Sequence, residues 1–129
     1  MPSLKTTYKP ALIFIVLHAI LVIVWNIVGV WLLSEGKSAL GPTATFVGAL
    51  IFAVLIAIYY FFYKKGYEKL FLIVVAIGAL LGSMAIYGAF TKDPNLWPSE
   101  FWRYAGVAVN ALGVLALLFA LKSFFKKKY

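Results

Sequence analysis

Four long apolar stretches, nearly free of charge, fill most of the chain and leave only short connections between them. Residues 11–33, 43–63 and 70–91 contain no Lys, Arg, Asp or Glu, and residues 101–121 contain only Arg103. A stretch of about 20 apolar residues, rising about 1.5 Å per residue, crosses the roughly 30 Å hydrocarbon core of a bilayer. The sequence therefore predicts an all-α integral membrane protein. Its expected architecture is a four-transmembrane-helix antiparallel bundle, N-in/C-in, with helices near 10–33, 43–63, 69–90 and 100–122. One membrane domain over residues 1–129 accounts for the whole length. A composition of 64% hydrophobic and 12% charged residues is extreme for a soluble chain of this size. The first stretch has 23 residues, longer than the roughly 7–15 of a signal-peptide core, so it is read as a retained helix.

The net charge of +8 raises the question of a nucleic-acid partner, but its placement gives a different reading. Lys5, Lys9, Lys64, Lys65, Lys69, Lys122, Lys126, Lys127 and Lys128 lie on one side of the expected bundle, with Glu68 as their one acid. The other connections hold Lys37, Lys92 and Arg103, matched by Glu35, Asp93 and Glu100. Basic residues beside membrane helices stay cytoplasmic. Both termini are thus expected in the cytoplasm of a bacterial-type inner or plasma membrane, with the lysines facing anionic lipid headgroups. No nucleic-acid partner is expected, because these lysines flank helix ends and lack interleaved base-stacking residues. The closing Lys126-Lys127-Lys128-Tyr129 has the form of a dilysine retrieval signal but is read as a topology anchor.

Connections follow from turn chemistry. Residues 34–38 (Ser-Glu-Gly-Lys-Ser) read as a turn, Gly41-Pro42 as the opening of helix two, and residues 64–69 as a tight hairpin turn. Asp93-Pro94-Asn95 and Trp97-Pro98 block helix, and Ser99 and Glu100 suit the start of helix four. Trp97, Phe101, Trp102 and Tyr104 are expected as an interfacial aromatic belt.

Small residues allow helices to approach closely in lipid. Gly78 and Gly82, with Ala85 and Ala89, form one such stripe on helix three; Gly106, Asn110 and Gly113 form one on helix four; Ala49, Ala53 and Ala57 form one on helix two. Contacts within the chain are the main expectation, and a homo-oligomer contact through Gly78 and Gly82 is the alternative.

The polar residues within the stretches are few: His18, Asn26, Ser83 and Asn110, with Tyr87 one turn beyond Ser83. An ionisable group at membrane depth is a default functional candidate, which singles out His18. The competing reading is a neutral imidazole bonded to a neighbour. One His without carboxylate partners cannot chelate a metal alone, so no metal and no cofactor are expected. The chain has no cysteine, which excludes disulfides, thiolate zinc, iron–sulfur clusters and covalent c-type haem. Asn26, Ser83 and Asn110 lie at similar counted depths and are expected to meet as an interhelical cluster, either structural or lining a small cavity.

The chain resembles small multidrug-resistance transporters in length and hydropathy, and small fluoride channels in length. The former place a carboxylate in the first helix, and residues 11–33 have none. No enzyme is expected, since His18, Ser83, Tyr87 and the connection residues Asp93, Glu100 and Arg103 form no catalytic set. Glu100 and Arg103, three apart, read as a local ion pair. The expected role is an accessory subunit of a larger membrane assembly or a lipid-interacting scaffold. The alternative is a small oligomeric transporter or channel.

Overall fold

The computed structural model describes residues 3–126. Among these residues are four helices, each long and apolar enough to cross a membrane: α1 (Lys9–Ser34), α2 (Phe46–Lys65), α3 (Glu68–Thr91) and α4 (Glu100–Lys126). Lys127, Lys128 and Tyr129, the rest of the basic tail, lie outside the described residues. Two short 3₁₀ turns, Thr6–Tyr8 and Pro94–Leu96, precede α1 and α4.

Glycine ends two of the helices. Gly36 (φ 74°) and Gly66 (φ 75°) are left-handed, a region that side chains with a Cβ disfavour. Beyond each, an N–H reaches back to a carbonyl five residues earlier: Lys37 to Leu32 at 2.9 Å and Tyr67 to Phe62 at 3.0 Å. Both helices thereby satisfy carbonyls that would otherwise be orphaned.

One end, here called basal, gathers the start of α1, the α2–α3 turn and the end of α4. The Leu4 N–H donates to Tyr63 O (2.9 Å). Tyr8 is fully buried, donates to a Glu68 carboxylate oxygen (2.6 Å) and packs edge-on against Phe71. The Ser123 hydroxyl donates to Thr7 O (2.6 Å). Residues 3–8, ahead of α1, are therefore packed across this end. Above it Ile15, Tyr59, Phe71, Val75, Ala116 and Ala120, all fully buried, fill the interior.

At the opposite end α1 overhangs its neighbours. Asn26 lies level with the start of α2, and eight residues of α1 (Ile27 to Ser34) continue past it. The connection 35–45 folds back along this overhang. Gly29 makes room for Ala44 and Ala39, because a Cβ there would collide with the Ala44 methyl. This fold-back corrects the expected start of α2. Gly41-Pro42 does not open the helix; it belongs to the returning connection. The helix begins at Phe46, where the Thr45 side chain accepts from the Gly48 N–H at 2.9 Å.

The small-residue stripes are used unequally. Gly78, Gly82, Ala89, Gly113 and Ala49 are buried, whereas Ala53, Ala57 and Ala85 are exposed. The expected Ala stripe of α2 therefore packs on the bundle only at Ala49.

Candidate functional site: a polar node and a cavity at the end opposite the termini

His18 is fully buried among all four helices. Its Nε2 lies 3.1 Å from Asn110 Oδ1 on α4. The Asn110 amide NH₂ donates to Gly106 O (2.9 Å), which turns Oδ1 toward the ring and places the imidazole proton on Nε2. Phe52 of α2 meets the ring edge-on at 5.6 Å. Two glycines make the space. A Cβ on Gly113 would stand 3.0 Å from Nδ1, and one on Gly82 would stand 3.6 Å from Nε2 and 2.7 Å from Asn110 O. Nδ1 is buried with no partner among the described residues. No acid or nucleophile adjoins the ring, and no group of three or more His, Cys, Asp or Glu that could hold a metal exists among the described residues. Chemically, the pair joins α1 to α4 in an apolar interior.

Asn26 does not join this node. It is buried, donates to Val22 O (2.8 Å) within its own helix, and accepts from the Thr45 N–H (2.8 Å). It thus provides an acceptor for a backbone donor at the foot of α2. Ser83 is exposed and bonds Ala79 O in its own helix at 2.8 Å. Tyr87 is 71% exposed, on the same outward face. The expected meeting of Asn26, Ser83 and Asn110 does not occur. Gly82 faces inward, and the next residue is turned about 100° around the helix, which carries Ser83 to the outside.

Above the His18–Asn110 pair lies a cavity of about 390 Å³. Its floor includes Asn110, Phe52 and Asn26, and its rim is Gly41, Trp25, Trp97, Lys92 and Arg103. Near the basal turn α2 and α3 touch, with Tyr63 against Phe71 and a Cβ on Gly78 only 2.5 Å from Tyr59 Oη. Farther up, Gly48 and Phe52 of α2 and Leu81, Met84, Ala85 and Gly88 of α3 face the cavity instead.

Arg103 closes one wall. It donates to Ala89 O on α3 (3.0 Å) and forms the anticipated ion pair with Glu100. Its side chain is only 13% exposed, and its Nε is buried without a partner. From the sequence Arg103 is expected only in a local ion pair, not in this bridge to α3. The one signal was that it is the lone charge inside a stretch of hydropathy. Trp97 is expected as an ordinary interfacial anchor, yet a Cβ on Gly41 would stand 3.3 Å from its indole nitrogen and from that of Trp25. The two rings therefore converge over the returning connection. Trp102 packs edge-on against Trp25 at 5.8 Å, behind the rim.

No family model, curated protein or solved structure matches this chain.

Proposed function

We propose that this protein is a small integral membrane binding protein that holds an amphiphilic molecule from the surrounding lipid, with both termini in the cytoplasm. This is the lipid-interacting role expected from the sequence, given a location. The observation that carries it is the cavity between α2 and α3. Its volume lies within the roughly 300–1,000 Å³ of small-molecule sites, and its walls are mostly apolar, with the charged groups at the rim and two amides, already bonded within the protein, at the floor. That distribution suits a ligand with a polar head and an apolar body. The orientation rests on the nine-to-three partition of cations between the two sides. On the cytoplasmic side, Lys64, Lys65 and Lys69 would meet anionic headgroups.

A binding role is favoured over a channel by what lies beneath the cavity. Ile15, His18, Tyr59 and Val75 are fully buried and occupy the interior toward the basal end. A single copy thus offers a pocket rather than a pore. Extraction in mild detergent followed by native mass spectrometry tests the reading. The wild type should retain an amphiphile. Ala85→Phe adds a ring at an exposed position on the cavity wall and should lose it without a change in thermal stability. Equal retention by both proteins, or none by the wild type, would sink the proposal.

A further inference from the structure

The charged groups around the cavity are all cationic, and among its free side chains only the Thr43 hydroxyl can also accept. Asn26 and Asn110 already use both ends of their amides. What remains at the rim is the Lys92 ammonium, the unpartnered Nε of Arg103, whose other guanidinium nitrogens already bond Ala89 O, Glu100 and Tyr104, and the Trp25 and Trp97 indole N–H groups. Neither indole N–H has a hydrogen-bond partner among the described residues, and both converge on Gly41. Lys, Arg and Trp side chains donate and cannot accept. No carboxylate lines the cavity; Glu100 pairs with Arg103 from outside it. Lys92 folds back over Gly88, its ammonium 3.8 Å from where a Cβ there would stand.

We infer that the ligand is a single-chain anionic amphiphile, its carboxylate or phosphate head bound at Lys92, Arg103 and the two indoles, its alkyl chain lying between α2 and α3. The inference rests on the binding role proposed above and names the class of ligand. Charge complementarity selects the anion. A charge-assisted bond is roughly twice as strong as a neutral one, and it gains further in an environment with little water. The volume selects one chain over two. Ordinary anchoring at a membrane interface accounts for Lys92 and for exposed aromatic rings. It does not account for two indoles turned inward on a glycine, or for an arginine only 13% exposed that joins α3 to α4.

The test uses the full chain in nanodiscs of phosphatidylcholine and reads tryptophan fluorescence. A brominated fatty acid is the probe, and its neutral methyl ester is the control of equal chain length. The acid should quench at a concentration about tenfold lower than the ester, as expected when one charge-assisted contact is gained. Lys92→Gln, an exposed change, should weaken acid binding more than ester binding and so narrow that gap severalfold. Arg103→Lys keeps the charge but loses the planar fork, and should weaken acid binding more than ester binding. Inorganic phosphate should compete only at far higher concentration, because it lacks the chain. Equal quenching by acid and ester, abolished by Ala85→Phe, would overturn the anionic assignment and leave the binding role standing. Quenching by neither would remove both. A preference for the acid that survives both Lys92→Gln and Arg103→Lys would place the head elsewhere and overturn the inference.

Discussion

Gly82 and Gly106 lie on the two packing stripes read from the sequence, yet they have different neighbours. A Cβ on Gly82 would press on the backbone oxygen of Asn110 at 2.7 Å, and backbone cannot step aside. A Cβ on Gly106 would meet only the Trp25 ring, at 3.4 Å, an ordinary contact. Gly82→Ala should therefore destabilise by about 1–3 kcal/mol through overpacking. Gly106→Ala should be neutral or stabilising by up to about 1 kcal/mol, because alanine is the better helix former. Thermal unfolding of the two variants in one detergent checks the difference; equal losses would mean that neither contact is real. The His18–Asn110 pair belongs to the same scale. A double-mutant cycle with His18→Leu and Asn110→Leu should give a coupling of about 0.6 kcal/mol and seldom above about 2, since the unfolded chain in a membrane also finds partners. Zero coupling would show the two side chains to be independent.

At the scale of the elements, Asn26 and Ser83 separate a bond between segments from a bond within one. Asn26 ties α1 to the first residue before α2, whereas Ser83 only returns to its own helix. Asn26→Leu leaves the Thr45 N–H without its acceptor and should cost about 1–3 kcal/mol. Ser83→Ala, at an exposed position, should change stability by no more than about 0.5 kcal/mol. A comparable loss from both would contradict these bonding patterns. The same two residues show what the sequence could convey. Four helices were legible because hydropathy over a span of about twenty residues reports membrane crossing directly. Their ends at Gly36 and Gly66 were legible because a left-handed residue after a helix favours glycine. Depth along a run, however, carries no angle around the helix, so Ser83 was grouped with residues it faces away from. Nor does a run boundary reveal stagger. Asn26 sits at the level where α2 begins, two turns before α1 ends, and no local pattern signals that the connection folds back beside it. The cavity depends on that fold-back, through Gly41 and the ring of Trp25, and so it was the least legible part of the protein.

For the whole molecule, the ends differ in charge and in what they enclose. The basal end is closed by side-chain bonds between segments distant in sequence: Tyr8 with Glu68, and Ser123 with Thr7. It also carries Lys64, Lys65 and Lys69, all exposed, around the α2–α3 turn. The cavity end carries Lys37 and Lys92 against Glu35 and Asp93, and so has almost no net charge. On the orientation proposed above, the closed end would lie inside and the cavity end outside. That orientation would decide which leaflet supplies the proposed ligand. Entry between α2 and α3 above Tyr59 would draw on the outer leaflet, away from the anionic surface of the inner one. The consequence is measurable in intact cells. The chain has no cysteine, so single cysteines report alone. Ser38→Cys and Asn95→Cys, both exposed in the cavity-end connections, should react with an impermeant thiol reagent. Tyr67→Cys, in the basal turn, should react only after permeabilisation. The reverse pattern would invert the protein, bring the cavity to the cytoplasmic leaflet, and make the abundant anionic lipids there the first ligands to test.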